Sequence, residues 1–150
     1  MTARLLRGPA IGAICRLLLG GLFIYAAVPK LLDPYAFARL IYGYRILHRD
    51  LVNLAALLLP WIELLPAALL VLGICVRSAG VVLGGVLVAF LGAMGLAMAR
   101  GLHIECGCFL PLFGDKVGWS TLLRDAVLLL LALQVIVWPS RWGRTPEASV

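Results

Sequence analysis

The sequence predicts an all-α fold: a four-transmembrane-helix bundle with an interfacial amphipathic helix between helices 1 and 2. Of its 150 residues, 63% are hydrophobic and 13% are charged, and the mean hydropathy is +1.06. A water-soluble domain of this size exposes too much surface to hide so much apolar material. The apolar residues also form four runs, each long enough to cross a hydrocarbon core of about 30 Å. We expect one integral membrane domain over residues 1–150.

The four membrane helices are expected at residues 11–32, 51–74, 78–99 and 119–138. In the second helix, Pro60 and Pro66 flank Glu63. Proline inside a helix frees a backbone carbonyl, so we expect this helix to bend near its middle. In the third helix, Gly80 and Gly84 form a pair of small residues four positions apart, which allows neighbouring helices to approach closely.

The connection between the first two membrane helices predicts an amphipathic helix over about residues 34–47. It opens with Asp33-Pro34, a helix-start signal with proline at the first helical position. Apolar residues then recur at three- and four-residue spacing, at Phe37, Leu40, Ile41 and Tyr44. We expect this helix to lie at the membrane interface with three aromatic anchors, Tyr35, Tyr42 and Tyr44.

Charge gives the expected orientation and excludes one class of partner. The formal net charge is +6, but the basic residues are scattered over helix ends, so we expect no nucleic-acid binding. One side of the bundle carries Arg4, Arg7, Arg16, Arg77, Arg141 and Arg144. The other side carries Lys30, Arg39, Arg45, Arg49, Arg100 and Lys116, mixed with Asp33, Asp50, Glu105 and Asp115. Because acids dilute the second group, we expect both termini in the cytoplasm.

Cys106-Gly107-Cys108 lies between the third and fourth membrane helices, on the side expected to face the periplasm or cell exterior, where dithiols become oxidised. Gly107 can supply the unusual backbone of an i to i+2 disulfide, and a strained exposed disulfide exchanges readily. Each thiol could instead pair with another protein, or have no role. A metal site is the weaker alternative, because His103 offers a third ligand and no fourth is evident. We therefore expect no metal.

Three basic residues bear on these thiols. A nearby cation lowers the pKa of a thiol, so Arg100, His103 and Arg124 are candidates to favour the thiolate of Cys106 or Cys108. Arg100 could equally mark the membrane boundary by snorkelling. Arg124 lies inside the fourth helix, where a charge is costly unless it is paired or faces a polar cavity.

Glu63 and Lys30 are the candidate cofactor-binding residues. Glu63 is expected close to the bilayer midplane, where an ionisable group is a functional candidate. It could relay protons, hydrogen-bond a quinone, or act as the counter-ion of Lys30 or Arg124. For Lys30, the nearest acid in the sequence is Asp33, one turn on, so a local ion pair is the first expectation.

Six short motifs follow one another along the chain: Lys30-x-x-Asp33-Pro34, Tyr44-Arg45-Ile46-Leu47, Leu59-Pro60-Trp61-Ile62-Glu63, Arg100-Gly101, Cys106-Gly107-Cys108-Phe109 and Arg124-Asp125. By the order and spacing of these motifs the chain resembles the DoxX-like superfamily of small four-helix membrane proteins, and within it the MauE branch, over roughly residues 17–136. The resemblance implies a multi-pass protein of the bacterial inner (cell) membrane that supports disulfide formation or maturation of exported redox proteins, beside a thioredoxin-like partner. One departure is Leu110, which stands where the branch has glycine after the phenylalanine.

Three functional hypotheses follow. The first is a membrane thiol-disulfide oxidoreductase or electron carrier that uses Cys106 and Cys108, with a quinone as the other electron terminus. The second is a non-catalytic subunit or assembly factor of a membrane electron-transfer complex, in a homo- or hetero-oligomer. The third is a small transporter with Glu63 and Arg124 along its path.

Overall fold

The computed structural model describes residues 9–102 and 118–138, and within these ranges the chain is all-helical with no strand. The five helices are α1 (Pro9–Leu32), α2 (Pro34–Gly43), α3 (Arg49–Leu72), α4 (Val76–Ala99) and α5 (Trp119–Val137). The long helices α1, α3, α4 and α5 are each long and apolar enough to cross a membrane. The predicted fold class is confirmed.

The long helices begin and end within two residues of the expected positions, and the differences have local causes. α3 ends at Leu72 because Gly73 adopts the left-handed conformation (φ 78°) that commonly terminates a helix. α2 is shorter than expected and ends at Gly43, since Arg45 has a positive φ of 51° that a helix cannot accommodate. α3 continues as one helix through both of its prolines.

The bundle is built from two closely packed pairs, α1 with α3 and α4 with α5, joined by contacts of α3 with α4 and α1 with α5. In the first pair, Gly20 allows close approach: a Cβ there would lie 2.7 Å from the Val71 side chain and 3.0 Å from the Ala67 carbonyl oxygen. In the second pair, Gly80 faces Ile136, where a Cβ would lie 3.1 Å away. Small residues therefore set both contacts, as expected for membrane helices.

The outward faces of the long helices carry large apolar side chains that are well exposed. Examples are Leu57, Leu65, Val88, Leu123 and Leu130. Because a soluble protein rarely leaves contiguous apolar faces of this extent in water, the four helices are suited to contact with lipid. Most of the buried apolar residues form one core between the helices.

α2 packs against α3 and starts at a well-formed cap. The Asp33 carboxylate accepts a hydrogen bond from the Ala36 amide at 2.9 Å, and Pro34 occupies the first helical position. Tyr35 and Tyr42 are exposed, as expected of interfacial anchors, whereas Tyr44 is buried and its expected anchoring role is wrong. Tyr44 follows the last residue of α2, where the chain turns into the bundle.

Candidate functional site

A buried ion pair joins α1 and α3 in the middle of the bundle. The Lys30 ammonium donates to both oxygens of the Glu63 carboxylate, at 2.9 Å to Oε1 and 2.7 Å to Oε2. Both side chains are 1% exposed. A charge in the membrane interior is costly unless it is paired, and here each charge neutralises the other in a two-oxygen contact.

The sequence positions each member of this pair by a different route. Lys30 follows Pro29 in the last turn of α1, so its long side chain can reach into the bundle from the helix end. Glu63 lies about 21 Å along α3 from Arg49, at ~1.5 Å rise per residue, and Pro60 and Pro66 precede and follow it. Glu63 therefore lies well inside α3, and its expected position close to the bilayer midplane stays a prediction.

Two aromatic rings complete the surroundings of the Lys30 ammonium. Its Nζ atom lies 5.0 Å from the centroid of the Phe37 ring and 5.2 Å from that of the Phe90 ring. Cations at such distances are attracted to the electron-rich faces of the rings. Phe37 belongs to α2 and Phe90 to α4, so Lys30 and Glu63 form the centre of a cluster to which α1, α2, α3 and α4 each contribute one residue.

The expected local ion pair of Lys30 with Asp33 is wrong. Asp33 is exposed and its carboxylate caps α2, while the Lys30 ammonium turns to Glu63, 33 residues further along the chain. The reason is physical: exposed Asp33 has water and a backbone amide as partners, whereas buried Glu63 would otherwise lack a counter-ion.

Arg100 connects the end of α4 to the α2–α3 connection. Its Nη1 atom donates to the Arg45 carbonyl oxygen at 3.4 Å, and its side chain is exposed. Gly101, with φ 66°, then turns the chain away from the helix axis. His103, Cys106 and Cys108 follow directly and lie outside the described residues, so the predicted thiol site stays a prediction.

Arg124 and Asp125 are adjacent in α5 and contact each other, with 3.3 Å between Arg124 Nε and Asp125 Oδ1. The Arg124 side chain is 27% exposed and the Asp125 side chain is 0% exposed. Asp125 is therefore a partner of Arg124, as expected for a charge inside a membrane helix. No group of three potential metal ligands occurs among residues 9–102 and 118–138.

Sequence reasoning did not find Phe37 and Phe90 as partners of Lys30. Phe37 carried a signal, since it belongs to the apolar stripe of α2 and therefore had to face the bundle. No sequence pattern indicated Phe90, because one aromatic residue in an apolar helix does not show which neighbouring helix it faces. Arg16 was also expected at a helix end, but it is 5% exposed within α1.

Comparisons with known proteins give the chain a family. The family model described as "Methylamine utilisation protein MauE" matches residues 8–138. The chain is 33% identical over 121 residues to the methylamine utilization protein MauE of Paracoccus denitrificans, covering 80% of this chain and 65% of that protein. It is 35% identical over 133 residues to the protein of the same name from Methylorubrum extorquens, covering 88% of this chain and 72% of that protein. No solved structure matches significantly. The MauE part of the resemblance is thus confirmed, and the chain belongs to the methylamine utilisation protein MauE family.

Proposed function

We propose that this protein serves methylamine utilisation as a membrane thiol-disulfide carrier, which supports disulfide formation or maturation of an exported redox protein. The observation that carries this proposal is the Cys106-Gly107-Cys108 sequence in the α4–α5 connection of a MauE-family chain. Both cysteines lie in the segment of sequence that connects α4, which ends at Ala99, with α5, which begins at Trp119.

In the disulfide-forming direction, a partner dithiol would attack the Cys106–Cys108 disulfide through a mixed disulfide. The partner loses two electrons and two protons, and the two cysteines of this chain become thiols. A membrane quinone is the proposed oxidant that restores the disulfide, taking up the same two electrons and two protons to become a quinol. In the opposite direction the same carrier would reduce its partner. The proposed partner is a thioredoxin-like or other exported redox protein.

Basic residues near the cysteines have a defined part in this proposal. Arg100, His103 and Arg124 would favour the attacking thiolate, and His103 would relay protons. The contact of Arg100 with the Arg45 carbonyl supports this, because it holds a cation at the start of the cysteine segment. The proposal also sets that segment in the periplasm or cell exterior, with both termini in the cytoplasm of a bacterial inner membrane.

The Lys30–Glu63 pair is proposed as the polar contact for the quinone and for its protons. In the described arrangement both side chains are 1% exposed, with Phe37 and Phe90 over the ammonium. A quinone that contacts the pair would therefore have to displace one of these rings, and Phe37, on the short helix α2, is the ring that we propose moves.

The test is the redox behaviour of the cysteine pair in purified protein. Cys15 and Cys75 are free thiols, so a Cys15→Ala, Cys75→Ala background leaves Cys106 and Cys108 as the reporting pair. After equilibration across glutathione ratios and trapping with a mass tag, a carrier should show a reversible two-electron transition at about −120 to −270 mV. A pair that stays oxidised below about −300 mV would be structural and would overturn the carrier proposal.

A second candidate function is a non-catalytic subunit or assembly factor, and one surface of α4 favours it. Gly85, Ala89 and Gly92 are exposed, and a Cβ added at either glycine would meet no atom of the described residues within 4 Å. This face is separate from Gly80 and Gly84, which face α5 inside the bundle. Membrane helices associate through small residues of this kind. If the protein is such a subunit, Gly85→Leu should abolish its co-purification with larger subunits and leave the redox transition of the cysteine pair unchanged.

A further inference from the structure

A groove runs between α2 and the first two turns of α3, and neither Lys30 nor Glu63 lines it. Its volume is ≈ 530 Å³. The lining includes Tyr35, Arg39 and Tyr42 from α2 and Arg49, Val52 and Asn53 from α3. The groove therefore combines two guanidinium groups, two phenol rings and an amide at the end of a membrane helix.

The positive charge of this groove favours the binding of an anion. No ion pair within residues 9–102 and 118–138 involves Arg39 or Arg49, and no carboxylate lines the groove. The Arg49 guanidinium lies 5.7 Å from the centroid of the Tyr42 ring and donates to the Tyr42 hydroxyl at 3.5 Å. Arg49 is also the first residue of α3, where the helix dipole adds positive potential.

The surface that continues from the groove is apolar. Along α3, Asn53 is followed at four-residue intervals by Leu57 and Trp61, which share its face of the helix. Leu57 is 59% exposed and Trp61 is 49% exposed. A soluble anion would use only the arginines, whereas a lipid would place its headgroup in the groove and its acyl chains along this stripe.

We propose that the α2–α3 groove binds the phosphate headgroup of an anionic phospholipid, with Arg39 and Arg49 as the phosphate ligands. Tyr35, Tyr42 and Asn53 supply further hydrogen-bonding groups at headgroup level. The acyl chains lie along Leu57 and Trp61. The lipid thereby bridges α2 to α3, next to the helix that carries Phe37. This site is independent of the proposed thiol chemistry.

The proposal is tested by native mass spectrometry of the detergent-purified protein titrated with dioleoyl phosphatidylglycerol or dioleoyl phosphatidylcholine. Phosphatidylglycerol should bind at least about ten-fold more tightly. The Arg39→Gln, Arg49→Gln double variant should lose about 30-fold in affinity for phosphatidylglycerol, because it lacks both arginines that attract the anionic headgroup at the membrane surface. Arg39→Lys, Arg49→Lys keeps the charges and should retain most of the binding.

Arg77→Gln is the matched control, because Arg77 is equally exposed but lies in the first turn of α4, outside the groove. It should bind both lipids as the unaltered protein does, and thermal melting of each variant checks that the fold is kept. Glycerol phosphate should fail to compete, and Leu57→Ser should weaken phosphatidylglycerol binding. Equal binding of the two lipids, an unaffected double Gln variant, or full competition by glycerol phosphate would each overturn the proposal.

Discussion

Removing one member of the Lys30–Glu63 pair should destabilise the bundle far more than removing both. The two side chains are each 1% exposed and are joined by contacts of 2.7 and 2.9 Å, so either one alone would be a buried charge without its counter-ion. Breaking a buried pair costs about 3–5 kcal/mol, whereas an apolar replacement of both members is often neutral or stabilising. We expect Lys30→Met and Glu63→Leu each to lower the free energy of unfolding by about 3–5 kcal/mol.

The double variant Lys30→Met, Glu63→Leu should recover most of this loss, giving a coupling energy of at least about 3 kcal/mol. Unfolding in mixed micelles, followed by the loss of helicity as the fraction of sodium dodecyl sulfate rises, measures each of the four free energies. Arg77→Met removes an exposed charge and should change the free energy of unfolding by no more than about 0.5 kcal/mol. Losses that simply add in the double variant would refute the reasoning, since independent residues have no coupling.

The same double variant separates stability from function. If the pair only joins helices, the stable double variant should complement a deletion strain as well as the unaltered protein does. If the pair contacts quinone or moves protons, the double variant should be folded and inactive. The measurement is growth on methylamine, with protein abundance in the membrane fraction determined in parallel.

Three further predictions concern single contacts. Gly20→Ala should lower the free energy of unfolding by about 1–3 kcal/mol, because the new methyl group overpacks the α1–α3 contact. Gly21→Ala, one residue further on and more than 4 Å from the neighbouring atoms that the structure describes, should be neutral or slightly stabilising in the same micelle titration. The Asp33→Ala variant should lose about 1 kcal/mol through its missing cap on α2, measured in the same way against Asp33→Asn, which keeps a capping oxygen. The hydrogen bond and positive charge of Arg49 lower the pKa of Tyr42, so Arg49→Gln should raise that pKa, and tyrosinate absorbance should then develop at higher pH. An unchanged titration curve would contradict the Tyr42–Arg49 contact.

The fold could be predicted because membrane helices are specified by local composition. Long apolar runs predict α1, α3, α4 and α5 without knowledge of their neighbours. The exact ends of the helices depend on local backbone conformation instead: Gly73 and Arg45 adopt positive φ, so α3 and α2 end earlier than the residue pattern suggests. Gly73 could have been recognised as a terminating residue, whereas an arginine with positive φ could not.

The candidate site could be predicted only in part, because its contacts join distant parts of the chain. Glu63 was identifiable since a carboxylate in the middle of an apolar helix needs a partner. Lys30 was expected as one of two possible counter-ions of Glu63, but Asp33 was its nearest acid in the sequence, which gives no register between α1 and α3. Phe90 and the complete burial of Asp125 likewise depend on how the helices face one another.

The position of the Lys30–Glu63 pair also constrains how the protein enters the membrane during synthesis. A charged residue at the centre of a nascent helix raises its insertion free energy by about 2.5–3.5 kcal/mol on the translocon scale, and Glu63 lies deep within α3. Lys30 is in the last turn of α1, and its side chain can extend towards the headgroups before α3 packs against α1. Pairing with Lys30 offsets this cost once α3 packs against α1. A chain with Lys30 replaced keeps the cost, so a smaller fraction of its α3 helices should be inserted in the bilayer.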